Sequence, residues 1–357
     1  MYINNVATSK TRVYISESFS IKFDVQGVSI PWFEFPFSNE SLTENMIQFV
    51  KGSTLMSAIK NVYVTLNGQK IVATLNEETG KYEASITAPA ASSWSQADHV
   101  YKAVIHAEDA AGNVTEMNSD DATYGPQLKI RVLEKTAPTA VINSPTQDAL
   151  LGENTQTVKF TLKDAGGSGL NMDTVVLKVD SAKITSGITY TDGDDGSKVG
   201  TYSAKSLTDG THTITVDVTD NDGNAATTAK ITFMISTAAP TLTVTTPANN
   251  LITNATKVTV AGTAKPGTSM VTVASVKING VAATVNSDGN FSYEQTLTEG
   301  VNTITIIATD SLGKNTSITR TVTLDTKKPV ISDVVASATT VAVGGTLKIT
   351  FKVTDPA

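Results

Sequence analysis

Apolar and polar residues alternate along much of this chain, and the alternation returns three times in one frame. Ala103, Ile105 and Ala107 share a face of a run that ends at Asp109; Ile214, Val216 and Val218 do so before Asp220, and Ile304, Ile306 and Ala308 before Asp310. A period of two is that of a strand with one buried face. Each run continues as Asp-x-x-Gly through Gly112, Gly223 or Gly313, then as a second strand running to Pro138, Pro240 or Pro329. The Asp side chain can accept hydrogen bonds from the backbone two residues on, and the Gly can take the positive φ that the reversal needs. The pattern predicts strand, tight turn, strand: the last hairpin of a sandwich domain. An acidic residue stands eleven positions before each turn Asp: Asp98, Asp209 and Glu299.

Taken in order, residues 1–137 form the first and largest unit. Two short strands open it, with Phe19, Ile21, Phe23 and Val25 on one face of the second. Pro31-Trp32-Phe33-Glu34-Phe35-Pro36-Phe37 follows, four aromatics in a chain that is otherwise poor in them. Two readings of it stand: a core strand with Phe33, Phe35 and Phe37 inward, or an exposed docking surface that Trp94 joins from an inserted loop, Ala88 to Gln96. Asn67-Gly68 and Asn279-Gly280 predict type I′ hairpin turns. Residues 138–239 form the second unit, with a strand from Val158 to Asp164, a glycine-rich loop from Ala165 to Leu170, a polar turn from Thr191 to Gly196 and a strand starting at Thr201. Residues 240–328 form the third and most compact unit. Residues 329–357 align without a gap on the N-terminus shifted by 328 positions, Ile21 on Ile349 and Phe23 on Phe351. Two strands cannot bury a face alone, so the expectation is a fourth unit cut in mid-domain. The linkers are short and end on proline, which favours a semi-rigid stack over a floppy string.

Composition sharpens this picture. The chain of 357 residues is rich in Thr, Val, Ala and Ser, with 6% aromatic and 17% charged residues, a balance that favours β structure. Net charge is −7, and no basic stripe is visible, so no nucleic-acid partner is expected. Cysteine is absent, which excludes disulfides, a thiol nucleophile and Cys-ligated zinc. No run approaches transmembrane length, and no signal segment follows Met1, so no membrane insertion is expected.

At this point the residues resemble the bacterial immunoglobulin-like (Big) domains. The cues are the Asp-x-x-Gly-Asn turn, the Asp164-Ala-Gly-Gly-Ser-Gly-Leu170 loop and the Thr-Ala-Pro-Thr boundary, clear over 138–328 and looser over 1–137. The resemblance implies an all-β fold of tandem immunoglobulin-like β-sandwiches joined by short Pro-bounded linkers. The motifs are nearly silent on function; similar modules occur as stalks of bacterial adhesins and on bacteriophage tails, capsids and phage-like particles.

The expected function is therefore a structural and adhesive component of a phage or phage-like tail particle, in several copies per assembly. Its first domain would dock on other particle proteins through Trp32, Phe33, Phe35, Phe37 and Trp94, and the following domains would touch host surface glycans. The alternatives are a stalk at the bacterial cell surface and accessory modules of a carbohydrate-active enzyme. No catalytic residue and no cofactor is expected: His99, His106 and His212 are scattered and read as solvent-face strand residues, and no hydrolase, zincin or Walker sequence occurs. Asp192, Asp194 and Asp195 in one turn, and Asp220 and Asp222 in another, offer carboxylate oxygens of the kind calcium takes. Neither has a full twelve-residue ligand loop, and turn chemistry explains both; no metal is expected, with calcium at Asp220 and Asp222 the alternative.

Overall fold

The computed structural model describes residues 1–26 and 59–356. Its regular structure is almost all strand, arranged as tandem β-sandwiches. By internal contacts the chain divides into two compact units, Met1–Asn143 with Lys159–Tyr202 and Thr215–Lys230, and Ser144–Val158 with Ser203–Ile214 and Ile231–Ala357. The division cuts through strands of the middle sandwich.

In the first unit, one sheet of the first sandwich orders Tyr2–Thr8, Ser18–Gln26, Lys81–Thr87 and Thr74–Asn76. The other orders Val114–Met117, Val104–Asp109, Ile59–Leu66 and Gln69–Val72. Alternation decides what faces inward: Phe19, Ile21 and Phe23 from one sheet meet Val62, Val64, Ile105 and Ala107 from the other in one buried core. The sequence reading opened this unit with two strands, whereas the structure has a third between them, Arg12–Tyr14. It pairs in parallel with Lys129–Leu133. Three residues are too few to show a period, and the partner lies more than a hundred residues away. The same device recurs: Leu150–Leu151 runs parallel to Ala229–Ile235, and Leu251–Thr253 to Asn315–Leu324.

Strands of the middle sandwich form sheets in the orders Thr139–Ser144, Gln156–Lys163, Lys198–Ala204, Thr189–Asp192 and Leu150–Leu151, Ala229–Ile235, Gly210–Asp220, Leu170–Val179, Ala182–Lys183. The strand expected from Thr201 begins at Lys198, because Lys198 to Thr201 pair with Asp192 to Thr189. In the third sandwich eight strands join in one hydrogen-bonded sheet, closed through Val281–Val285, which pairs with both Asn290–Thr296 and Val273–Ile278. Asn67 and Gly68, and Asn279 and Gly280, all have positive φ, as a type I′ hairpin requires.

The final hairpin copies the first in register. Tyr2 pairs with Gln26 and Val330 with Thr354; Thr8 pairs with Ile21 and Ala336 with Ile349, each pair displaced by 328 positions. The irregularity is copied too, since Asn5 (φ 48°) and Asp333 (φ 52°) both turn left-handed inside it. Cover is what differs: Phe23 has no exposed surface, and Phe351 is 57% exposed.

The three turn aspartates are buried. Asp109 Oδ1 accepts from the amides of Ala111 and Asn113, both at 2.9 Å, and Asp310 Oδ1 from those of Leu312 and Lys314, also at 2.9 Å. The second oxygen distinguishes the copies. Asn113 Nδ2 donates to Asp109 Oδ2 at 2.9 Å, and Asn224 Nδ2 to Asp220 Oδ2 at 2.7 Å. The third copy has Lys314 at that place, and Asp310 Oδ2 is buried without a hydrogen bond. Lys314→Asn supplies the donor and is expected to raise stability by about 1 kcal/mol. The Lys314–Glu153 pair it removes, at 3.8 Å with Glu153 mostly exposed, contributes little. A denaturation midpoint that fails to rise would show that Asp310 needs no such donor.

Candidate functional site

The densest polar arrangement lies where the last strand of the first sandwich meets loops of the second, within the first compact unit. Glu134 follows Lys129–Leu133 and stands four residues before Pro138. It is a charged residue with only 2% of its surface exposed. A group of this kind needs partners, and the next sandwich provides them. Ser168 Oγ donates to Glu134 Oε1 at 3.2 Å, and Asn224 Nδ2 donates to the same oxygen at 3.1 Å. The Thr136 amide donates to Oε2, and the Glu134 amide donates to Asp222 Oδ2 at 3.0 Å.

The glycine loop is shaped to receive that carboxyl group. Asp164 folds the loop around itself, accepting the amides of Gly166, Gly167 and Gly169 at 2.9–3.1 Å. Gly166 then lies against Glu134 so closely that a Cβ there would stand 2.2 Å from Glu134 Cδ. The glycines that resemble a phosphate loop thus form the seat for a neighbouring sandwich's side chain.

Asp222 braces the joint from the other side. Its side chain is 1% exposed; Oδ2 accepts from Ser92 Oγ at 2.7 Å, and Oδ1 lies 3.6 Å from Arg131 Nη2. Ser92 belongs to the inserted loop, which Ser93 pins to the last strand by accepting the Val132 amide at 3.1 Å. Trp94 sits in the same loop, half-buried and stacked on His99 at 3.9 Å, with the Arg131 guanidinium 5.6 Å from its ring centre. Trp94 therefore lies beside the joint. Trp32, Phe33, Phe35 and Phe37 lie outside the described residues.

Ligand oxygens of Glu134, Asp164 and Asp220 converge within 4.8 Å of one another, the one such acidic grouping among the described residues. Oxygen donors suit a hard cation. Here, however, Asp164 is occupied by three amides, Glu134 accepts from Ser168, Asn224 and Thr136, and Asp220 accepts from Asn224. Asp222 is not part of this grouping. Burial, then hydrogen bonding to Asp220, pushes Glu134 above its ordinary 4.5. Burial pushes Asp220 up as well, but hydrogen bonds from Glu134 and Asn224 outweigh it and hold Asp220 below 3.8. Asp192 and Asp195, in the other acidic turn, pair with Lys198 and Lys163.

The seat recurs in simpler form inside the second unit. Ser236, four residues before Pro240, places Oγ 2.8 Å from Thr268 Oγ1, and a Cβ on Gly267 would stand 2.4 Å from the Ala238 carbonyl oxygen. The acidic residue eleven positions before the turn Asp holds the exit chain: Asp209 Oδ1 accepts the Thr237 amide at 2.7 Å, and Glu299 Oε2 accepts Thr326 Oγ1 at 2.8 Å. Asp98 breaks the pattern and pairs with Lys102 at 3.3 Å.

One expectation about the histidines is corrected. His106 stacks on Tyr63 at 4.5 Å, but His212 is not a solvent-face residue. It is buried against Phe233, with Nε2 2.7 Å from the Thr208 carbonyl oxygen. Sequence reasoning missed Glu134, Ser168, Asn224 and the clasp by Ser92. The available signal was position: an acid four residues before a boundary proline, where one other boundary carries Ser236 and the last carries the acid Asp325.

Residues 137–237 match the model of the bacterial Ig-like domain. The chain is a tandem immunoglobulin-like protein. Residues 240–326 of this immunoglobulin-like array match the model of glucodextranase, domain B. No curated protein matches the chain. Among solved structures it is similar to a three-domain titin fragment, at 11% identity over 90% of this chain and 97% of that one, with a TM-score of 0.45. It is also similar to an ectodomain fragment of ICAM-5, at 16% identity over 90% and 74%, TM-score 0.45. A third is the Escherichia coli adhesin FdeC, at 15% identity over 89% and 96%, TM-score 0.35.

Proposed function

We propose that this chain is a non-enzymatic structural and adhesive component of a phage or phage-like tail particle, presenting immunoglobulin-like domains to host surface glycans. The observation that carries the structural half of this reading is the joint. Glu134 sits in the glycine loop of the next sandwich, and Ser236 and Asp209 fix the following boundary. Sandwiches secured at their boundaries suit a spacer that holds a contact surface in place. Weak contacts repeated over several sandwiches and several copies gain by multivalency. The particle follows the family resemblance, and the first-domain docking rests on the aromatic segment 31–37 and the divergence of that domain. A second reading has support of its own: the match of residues 240–326 to glucodextranase, domain B, fits accessory modules of a carbohydrate-active enzyme.

Electron microscopy of the source material, with gold-labelled antibody against residues 1–137, tests the proposal. Label at fixed, symmetric positions on tail-like particles is the expected result. Label on the cell envelope and none on particles would overturn it in favour of an adhesin stalk. Label that follows a secreted glycan-degrading activity would overturn it in favour of the enzyme-module reading.

A further inference from the structure

One end of the third sandwich opens into a cleft of about 660 Å³, inside the second compact unit. That volume is within the roughly 300–1,000 Å³ of small-ligand sites. One wall is the loop 266–272, between the strands Lys257–Lys265 and Val273–Ile278. The other is the turn 286–289, between Val281–Val285 and Asn290–Thr296. Both walls are held by hydrogen bonds of their own. The Gly289 amide donates to the Asn286 carbonyl at 3.0 Å, and the Gly289 carbonyl accepts the Ala264 amide at 2.8 Å. Asn286 Oδ1 accepts the amides of Asp288 and Asn290 at 3.1 and 2.8 Å. Across the cleft, Thr268 Oγ1 lies 2.8 Å from Ser236 Oγ, and the Thr272 carbonyl accepts the Ser311 amide at 2.9 Å. Walls preformed in this way lose little further freedom when a ligand enters.

The polar groups at the rim are left over from this bonding. Lys265 Nζ, the hydroxyls of Ser269, Thr272 and Ser287, and the Asp288 carboxylate belong to exposed residues and have no hydrogen-bond or ion-pair partner among the described residues. The second sandwich uses the same places differently. Lys163 corresponds to Lys265: its carbonyl accepts Thr139 Oγ1 at 3.2 Å, and that of Lys265 accepts Thr241 Oγ1 at 3.5 Å, each Thr directly following a boundary proline. Asp195 precedes Gly196 in the one turn as Asp288 precedes Gly289 in the other. Lys163 and Asp195 bond each other at 2.7 Å, whereas Lys265 and Asp288 both line the cleft. The lining selects the ligand. One ammonium and one carboxylate leave it without net charge, which favours neither a phosphate nor a metal ion. Hydroxyls that both donate and accept stand beside the apolar surfaces of Pro266, Val273 and Val285. A sugar ring matches this mixture, with hydroxyls at its edge and C–H groups on its faces.

We propose that this cleft is a binding subsite for a neutral oligosaccharide, with Lys265, Ser269, Ser287 and Asp288 meeting its hydroxyls. The subsite rests on the glycan-touching reading of the array and gives that contact a place. Its rim is exposed and its apolar lining aliphatic, so each contact is weak, the regime in which many copies gain most.

Amide NMR of the intact chain tests the subsite, with maltohexaose, cellohexaose, mannohexaose and chitohexaose as separate millimolar probes. Shifts confined to residues 265–273 and 285–289 are expected with at least one of them. Lys265→Ala and Asp288→Ala, both at exposed positions, are each expected to weaken that binding about tenfold, the loss of a hydrogen bond to a charged group. Variants that bind as tightly as wild type would overturn the subsite, as would equal shifts at the cleft with inorganic phosphate alone. Shifts elsewhere in the chain and none at the cleft would overturn the subsite and leave the glycan reading standing. No shift anywhere with any probe would overturn both.

Discussion

Gly166→Ala is expected to separate the first sandwich from the second while both stay folded. The added methyl would stand 2.2 Å from Glu134 Cδ. A flexible carboxyl end could ordinarily swing away, but this one is held by Ser168, Asn224 and Thr136. Expelling it strands buried donors at about 1–3 kcal/mol each, so the joint should weaken by roughly 2–4 kcal/mol. Cores on either side are untouched. The measurement is a double-mutant cycle with Glu134→Ala, read by proteolysis within residues 134–138. Removing the carboxyl group first vacates the space the methyl needs, so the two changes together should cost little more than Glu134→Ala alone. Strict additivity would show that Gly166 acts on its own loop and not on Glu134.

Phe160→Ala should unfold the middle sandwich, and Phe351→Ala should do almost nothing. Phe160 has no exposed surface, and its ring fills the space left by Gly200, where a Cβ would stand 2.2 Å from Phe160 Cζ. Truncating a fully buried Phe costs about 3–5 kcal/mol, a large share of what a domain of this size has. Phe351 opens a similar stretch, Phe351-Lys-Val-Thr-Asp355, but is 57% exposed. Its removal should stay within about 0.5 kcal/mol. Calorimetry of the two variants checks both: loss of one transition for Phe160→Ala, and an unchanged trace for Phe351→Ala. Equal effects would mean that exposure in the final hairpin misstates its packing.

Strands and turns were legible because their code is local. Alternation placed Ile105, Val216 and Ile306 inside, Asn67-Gly68 marked a hairpin, and the Asp-x-x-Gly turns formed as the spacing implied. The 328-position offset survived as strand register, because the same alternation with the same left-handed residue at Asn5 and Asp333 allows one pairing. What was not legible depends on residues distant in sequence. Arg12–Tyr14 finds a parallel partner at Lys129–Leu133, and Ser92 meets Asp222. Glu134 reads as an ordinary surface acid until the loop that covers it is known. The glycine loop was noticed, but its use as a seat depends on a side chain thirty-two residues upstream of Gly166.

The most direct test of this account, a spacer of separately folded sandwiches secured in series, is force-extension of the single intact chain. It predicts discrete rupture events. Residues 137–237 and 240–326 should release about 340 Å and about 300 Å of contour, at roughly 3.4 Å per residue. Smooth extension without peaks, or one rupture that frees the whole chain at once, would contradict it.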